Sequence, residues 1–180
     1  VEVLDTALEE VKVLRQQRHG DERGWFTRAW CQHEYTDAGL DPVAAQVNFS
    51  STSRRGTVRG LHRQVEPHAE AKTVWVVSGA ILDVAVDLRD GSPTRGEHVA
   101  AELSADNGLG LHVPKGFAHG FQALTDDVVM VYVMSQFYAP GTEQGVRFDD
   151  PTIGIDWPLP VTVLSDKDAA LPPLGPPETP

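Results

Sequence analysis

Four histidines, His62, His68, His112 and His119, fall in or beside segments with strand character, and Glu70 lies two residues beyond His68. Imidazoles and a carboxylate so placed suit two chemistries: holding a metal ion, or moving a proton. Metal-binding β-barrels commonly offer H-x-H followed by a glutamate, then P-x-G-x-x-H on a later strand. The second half is present as Pro114, Gly116 and His119, but the first half reads G-L-H-R-Q-V-E-P-H-A-E-A-K from Gly60. The period-two rule puts Arg63 on the opposite strand face from His62, so a metal site needs His68 to fold back from a turn at Pro67. A metal-dependent oxygenase or isomerase using His62, His68, Glu70 and His119 stands as the alternative reading, with ligand count and spacing against it.

Without a metal, His62, Lys72, His119, Tyr132 and a carboxylate are the groups that proton transfer beside a carbonyl requires. Such a reaction needs a base near neutrality, a donor to hold the enolate oxygen and a second acid to return the proton. Histidine supplies the base because its unperturbed pKa is near ~6.5. Lysine or a second histidine supplies the oxyanion contact. A tyrosine on the other side of the substrate returns the proton there, and the stereocentre inverts. Taken singly, a strand tyrosine or histidine is more often a packed, hydrogen-bonded residue, and Lys72 alone reads as a solvated surface lysine.

The elements that must carry these groups are strands. From Val74 to Tyr138 the chain is dense in β-branched residues and broken by turn signals at Ser78-Gly79, Asp90-Gly91-Ser92-Pro93 and Asp106-Asn107-Gly108, which reads as an antiparallel meander. Strands are expected at Val74–Val77, His98–Leu103, Gly110–Val113, Gly120–Ala123 and Val128–Phe137, and earlier around Trp25–Ala29, Val43–Ser51 and Thr57–Gln64. In I-L-D-V-A-V-D-L-R-D, Leu82, Val84, Val86 and Leu88 alternate with Asp83, Asp87 and Arg89, so one face is core and the other meets solvent or a polar cavity. Helices are few and short, at Tyr35–Ala38 and around Asp166–Ala170. Many short strands at this spacing imply a sandwich or jelly-roll barrel with a ligand pocket at its mouth.

The 180 residues suit one domain, residues 1–180, ending in a proline-rich tail at about 171–180. Hydrophobic residues make up 41% and charged residues 23%, as in globular proteins. With 26 acidic and 15 basic side chains the net charge is −11, which argues against nucleic acid as a partner. Cys31, the single cysteine, excludes an internal disulfide framework and fits a reducing cytoplasm. The absence of an apolar run of membrane-spanning length or a basic, apolar leader points away from the membrane and toward a cytoplasmic location.

In these residues the chain resembles the dTDP-4-dehydrorhamnose 3,5-epimerase, or RmlC-like, family. The landmarks stand in order from Asp21 to Asp168: D-E-R-G-W-F from Asp21, Q-V-N-F-S from Gln46, R-G-L-H-R-Q from Arg59, Lys72, D-V-A-V-D-L-R-D-G-S-P-T from Asp83, V-P-K-G-F-A-H-G-F from Val113, Tyr132, Y-A-P from Tyr138, F-D-D-P-T-I-G-I-D-W-P from Phe148 and L-S-D-K-D from Leu164. The resemblance implies an all-β, cupin-type double-stranded β-helix, a jelly roll with a few short helices. It implies epimerisation at carbon 3, carbon 5 or both of a dTDP-4-keto-6-deoxyhexose, in L-rhamnose or natural-product sugar biosynthesis, without metal or organic cofactor.

Carried over by resemblance, His62 is the general base, Asp168 the carboxylate that orients it, and Tyr132 the acid on the opposite face. Lys72 and His119 form the enolate-stabilising set. Arg23 and Arg59 contact the diphosphate, which reconciles a nucleotide-sugar partner with the net negative charge. Phe26 packs on the nucleotide, Gln46 and Asn48 surround it, and Tyr138 adds to the binding set. Asp83, Asp87 and Arg89 read as a surface or turn-stabilising set. The resemblance also implies a homodimer in which an N-terminal segment crosses to complete the partner's site. Three positions depart from the commonest family pattern, Arg63, Phe49 and Phe137, and all are expected to line or flank the pocket.

Overall fold

The computed structural model describes residues 1–176. Among them the elements run β1 (Glu2–Asp5), β2 (Lys12–Arg15), β3 (His19–Asp21), β4 (Gly24–Phe26), α1 (Gln32–Asp37), β5 (Gln46–Thr52), β6 (Val58–Gln64), β7 (Lys72–Ser78), β8 (Ala80–Asp87), β9 (His98–Ser104), β10 (Leu109–Val113), β11 (Phe117–Ala123), β12 (Val128–Met134), β13 (Glu143–Gly145) and α2 (Asp166–Ala169). One sheet has the order β1-β2-β10-β7-β12-β5, a second β13-β6-β11-β8-β9, and β3 and β4 form a separate hairpin.

From β5 onward the chain changes sheet at every connection except β8 to β9, which makes a cupin-like jelly roll rather than a meander. Turn signals mark where strands end but not which strand comes to lie beside which. That choice follows from burial: both sheets must close on one core, and crossing between them covers both inner faces. The core holds Val74 and Val76 of β7, Ile81 and Ala85 of β8, Leu111 and Val113 of β10, Phe117 and Phe121 of β11, and Val128 and Met130 of β12. Each fully buried large apolar side chain there contributes roughly 1.5–3 kcal/mol.

Strand β8 corrects the surface assignment of Asp83 and Asp87, both of which are 0% exposed. Its alternation is real, but both faces are covered. Val84, Val86 and Leu88 lie on the outer face under Val146 and Ile153, with Ile155, Trp157 and Leu174 packed around them. Ile81, Asp83, Ala85 and Asp87 lie on the opposite face. Leu174 thereby anchors the tail: its N–H donates to Asp150 Oδ2 at 2.7 Å, and the Arg147 N–H bonds the Pro172 carbonyl. The last tail residues, 177–180, lie outside the described residues.

Asp87 is turn-stabilising, as expected, but from a buried position. Its carboxylate accepts from Arg89 Nη2 at 2.7 Å, Ser92 Oγ at 2.6 Å and Thr94 Oγ1 at 2.7 Å. Burial alone would raise its pKa, yet these donors outweigh burial and hold the carboxyl well below the usual range. The stability it confers is therefore fully present above the unfolded carboxylate pKa of ~3.9 and is lost as pH falls from there through the lower folded-state value. Asp87→Asn should cost about 3 kcal/mol at neutral pH by leaving Arg89 with Glu10 alone as counter-charge and the buried cluster without its acceptor carboxylate, a fall of roughly 6–12 °C in melting temperature. A calorimetric shift under about 2 °C would show that the clamp contributes little.

Several strand limits differ from those the sequence suggests. The expected Val128–Phe137 strand ends at Met134, because its partner β7 begins at Lys72, directly opposite. The Ser135 N–H still bonds the Ala71 carbonyl at 2.9 Å; beyond it the backbone turns to side chains, and the Phe137 carbonyl accepts from Gln64 Nε2. Trp25–Ala29 contracts to β4, and Val43–Ser51 begins only at Gln46. Strands β1, β2, β3 and β13 have no counterpart among the expected ones; β1 and β2 are short, and their ladder is held because β2 pairs with β10. No helix among the described residues is long and apolar enough to cross a membrane.

Candidate active site

One end of the barrel interior is left open as a cavity of about 780 Å³ between β5, β7 and β12 on one wall and β6 and β11 on the other. His62 on β6 and His119 on β11 are direct cross-strand partners. Two glycines let these strands meet so closely. A Cβ on Gly60 would lie 2.6 Å from Gly120 Cα, and one on Gly120 would lie 2.6 Å from the Arg59 carbonyl oxygen. Gly60 also sits at φ +119°, a conformation that side-chain-bearing residues rarely adopt.

His62 Nε2 lies 2.8 Å from Asp168 Oδ1, and the other carboxylate oxygen accepts the Gly60 N–H at 3.1 Å. Asp168 is delivered by α2, whose N-cap Ser165 accepts the Asp168 N–H. The bond to Asp168 uses Nε2, so Nδ1 is the ring nitrogen left to take a proton. Burial pushes the His62 pKa down and the Asp168 charge pulls it up; the net direction is downward from 6.5. His62 is thus uncharged at neutral pH.

His119 repeats the arrangement, with Nε2 at 2.7 Å from Asp83 Oδ1. Sequence reasoning missed this use of Asp83. The signal was present in the alternation of β8, which left open a polar cavity on the aspartate face. Lys72 opens β7 and is 9% exposed, far from a solvated surface lysine; its Nζ lies 3.0 Å from Glu70 Oε1.

Tyr132 projects from β12, in the sheet facing that of His62 and His119, and lines the same cavity. Its cross-strand neighbour is Asn48. On β5 the residues Gln46, Asn48 and Ser50 line the cavity while Val47 and Phe49 point out. Of the expectation that Phe49 lines or flanks the pocket, lining is corrected: it stands between Asn48 and Ser50 but points to the opposite face of β5 and is 73% exposed. Phe137 is likewise exposed and absent from the lining. The third departure, Arg63, lies at the cavity wall and donates to the Leu88 and Gly116 carbonyls at 2.8 and 2.9 Å.

Arg59 lines the cavity, steadied by Nε to Thr52 Oγ1 and Nη2 to the Ser51 carbonyl, both 3.1 Å. Tyr138 stands at the rim, its N–H bonded to Gln46 Oε1 at 3.0 Å. Lys167 and Glu143, which sequence reasoning did not single out, pair at 2.8 Å beside it. Arg23 and Phe26 are not brought to the cavity of their own chain. They ride the β3–β4 hairpin, Arg23 paired with Asp21 and Phe26 68% exposed.

The metal-holding set does not assemble. His62 and His119 each commit a nitrogen to an aspartate, Glu70 faces Lys72, and His68 is absent from the lining. Among the described residues no group of three or more His, Cys, Asp and Glu side chains is arranged around a common point. His112 belongs elsewhere: it bonds Thr73 Oγ1 at 3.0 Å, and burial pushes its pKa down to about 4.

Two imidazoles, each backed by a carboxylate, face a phenol across one cavity, as proton transfer on both sides of a substrate requires, and relatives of known activity share the frame. The family model for dTDP-4-dehydrorhamnose 3,5-epimerase matches residues 5–175. A dTDP-4-dehydrorhamnose 3,5-epimerase from Sinorhizobium fredii is 46% identical over 173 residues, covering 93% of this chain and 87% of the relative. The RmlC 3,5-epimerase of Legionella pneumophila, solved in complex with dTDP-4-keto-L-rhamnose, superimposes with a TM-score of 0.91 at 39% identity, over 96% of this chain and 92% of that one. ChmJ, a 3'-monoepimerase from Streptomyces bikiniensis solved with dTDP-quinovose, gives 0.88 at 35% identity, over 94% and 86% of the two chains. Sequence match and three-dimensional likeness thus agree over nearly the whole chain, which belongs to the dTDP-4-dehydrorhamnose 3,5-epimerase family of sugar-nucleotide epimerases.

Proposed function

We propose that this chain inverts carbon 3, carbon 5 or both of a dTDP-4-keto-6-deoxyhexose in deoxysugar biosynthesis, working as one catalytic unit in the cytoplasm. The observation that carries the reading is the placement of the His62–Asp168 pair and Tyr132 on facing sheets of one cavity. The 4-keto group acidifies the hydrogens on carbons 3 and 5. His62 Nδ1 removes one of them, and Asp168 stabilises the imidazolium that forms. The electron pair moves onto the keto oxygen, where Lys72 and His119 hold the enolate. Tyr132 then donates its phenolic proton to the other face of the same carbon and the configuration inverts. The tyrosine is restored from solvent and His62 releases its proton, so neither redox change nor cofactor enters the balance.

Arg59, Gln46, Asn48 and Tyr138 bind the nucleotide diphosphate around the mouth. Arg23 and Phe26 reach a site only in a homodimer, where the β3–β4 hairpin of one protomer covers the cavity of the other. Support comes from the apolar side chains presented there: Trp25 and Phe26 on the hairpin, and Val47 and Phe49 on the outer face of edge strand β5. Strands β1 and β2 join their own sheet, which supports the hairpin as the part of the N-terminal segment that crosses.

Proton NMR in deuterium oxide with dTDP-4-keto-6-deoxyglucose tests the reading. Signals of the carbon 3 or carbon 5 hydrogens should vanish as an epimer accumulates, and the carbon that loses its signal identifies the centre inverted. A folded protein that leaves both hydrogens in place overturns it.

A further inference from the structure

Three nitrogen groups on the cavity wall have a buried carboxylate behind them: Asp168 behind His62, Asp83 behind His119, and Glu70 behind Lys72. The first two have a use in the proton-transfer scheme. Glu70 has none, although it is only 5% exposed and lines the cavity.

Its surroundings keep it in place. Glu70 Oε2 accepts the Gln64 N–H at 3.1 Å. The Gln64 side chain ties down the β6–β7 connection on both sides: Nε2 donates to the His68 and Phe137 carbonyls at 3.1 and 3.2 Å, and Oε1 accepts the Ala139 N–H at 2.7 Å. The Ala71 N–H then bonds Ser135 Oγ at 2.8 Å. The segment carrying Glu70 is thus laced to the end of β6 and to the chain leaving β12, so its carboxylate has a defined position relative to Lys72.

We infer that Glu70 is a positioning residue: it holds the Lys72 ammonium at the cavity wall so that the enolate oxygen of the proposed reaction meets a pre-aimed donor. An ammonium carries three N–H donors. Glu70 Oε1 takes one and sets the rotation of the group, and the others stay available to the keto oxygen. A lysine stem is long and flexible, so an unanchored ammonium samples many positions. Each misdirected orientation costs transition-state stabilisation rather than substrate affinity. The carboxylate also supplies the counter-charge that a nearly buried ammonium requires. The predicted signature is a loss in kcat with little change in KM.

This role rests on the epimerase reading, and the experiment separates the two. Exchange and turnover are measured in deuterium oxide with dTDP-4-keto-6-deoxyglucose for the wild type, Glu70→Gln, Glu70→Asp, Lys72→Met and the double variant Glu70→Gln/Lys72→Met. Melting temperatures and dTDP affinity are recorded for each. Glu70→Gln should lower kcat about 30-fold, with KM and dTDP affinity within about threefold. Glu70→Asp, which keeps the charge on a shorter arm, should lose about fivefold in kcat, less than the glutamine variant. In the Lys72→Met background the Glu70→Gln change should cost less than about twofold, because its effect runs through the ammonium.

Glu70→Gln turning over within about twofold of the wild type, or costing the same factor with and without Lys72, overturns the inference while the epimerase reading stands. A wild type that shows no exchange overturns both. Should Glu70→Gln fail to fold, Glu70→Asp decides: a loss of about fivefold in kcat at unchanged melting temperature and KM supports the positioning role, and unchanged kcat removes it.

Discussion

Replacement of His62 by asparagine is expected to abolish solvent exchange at both carbon 3 and carbon 5, with kcat/KM falling about 10³-fold or more. Asparagine is smaller, and its amide reaches only to where Nδ1 stood, so the 2.8 Å contact made by Nε2 is given up with the ring, while Asp168 keeps the Gly60 N–H. What it lacks is a basic nitrogen. Binding of dTDP should stay within about twofold, because the nucleotide contacts proposed at the mouth are made by other residues, and the melting temperature should move little. The same group sets the acid limb of the wild-type pH profile. Burial takes the His62 pKa below its ordinary 6.5 despite the opposing charge of Asp168, and the base works only when unprotonated. Activity should therefore hold through neutrality and decline as pH falls below 6.5, toward acid and not toward alkali. A variant that still exchanges deuterium at the wild-type rate would remove His62 from the chemistry.

Tyr132→Phe should separate two events that normally occur together. The variant keeps His62, so deuterium from solvent still enters through the imidazole, on the face from which hydrogen left. Exchange should persist within about tenfold of the wild type while epimer formation falls about 10²-fold or more. Time courses of the carbon 3 and carbon 5 signals, read against the appearance of product signals, give both rates from one sample. Losing both rates equally would make Tyr132 a packing residue of β12. Retaining both would place the second acid elsewhere on the cavity wall.

The groups proposed to move protons were legible in part, because imidazoles and a phenol stand out at strand positions. His62, His119 and Tyr132 could be named from residue type at strand positions, whereas Lys72 alone read as a solvated surface lysine; many short strands between turn signals left a sandwich and a jelly roll open, and the family likeness chose between them. The roles of Asp168, Arg23 and Phe26 came only through family likeness, since nothing local marks an aspartate near the end of the chain as the partner of a histidine 106 residues earlier. The place of Phe49 was in principle readable: with Asn48 turned into the cavity, the period of two sends its neighbour outward.

Local sequence therefore settled the vocabulary: alternating strands, turn positions and the residue types able to give and take protons. Alternation says that two faces of a strand differ, but the environment each face meets is set by whichever distant segment pairs with it or packs on it. For that reason the burial of Asp83 and Asp87 emerged only once Val146, Ile153 and their neighbours covered the outer face of β8 and turned the aspartates inward. The same holds for Asp83 behind His119, 36 residues away, and for the cross-strand meeting of His62 and His119, which needs Gly60 and Gly120 to be without side chains at one crossing. The net charge of −11 is a sum over the whole chain, whereas the cavity sets Arg59, Arg63, Lys72 and Lys167 against Glu70, Glu143 and Asp168 on its walls. Charge acts through distance, and distance between residues far apart in sequence is a property of the folded chain alone.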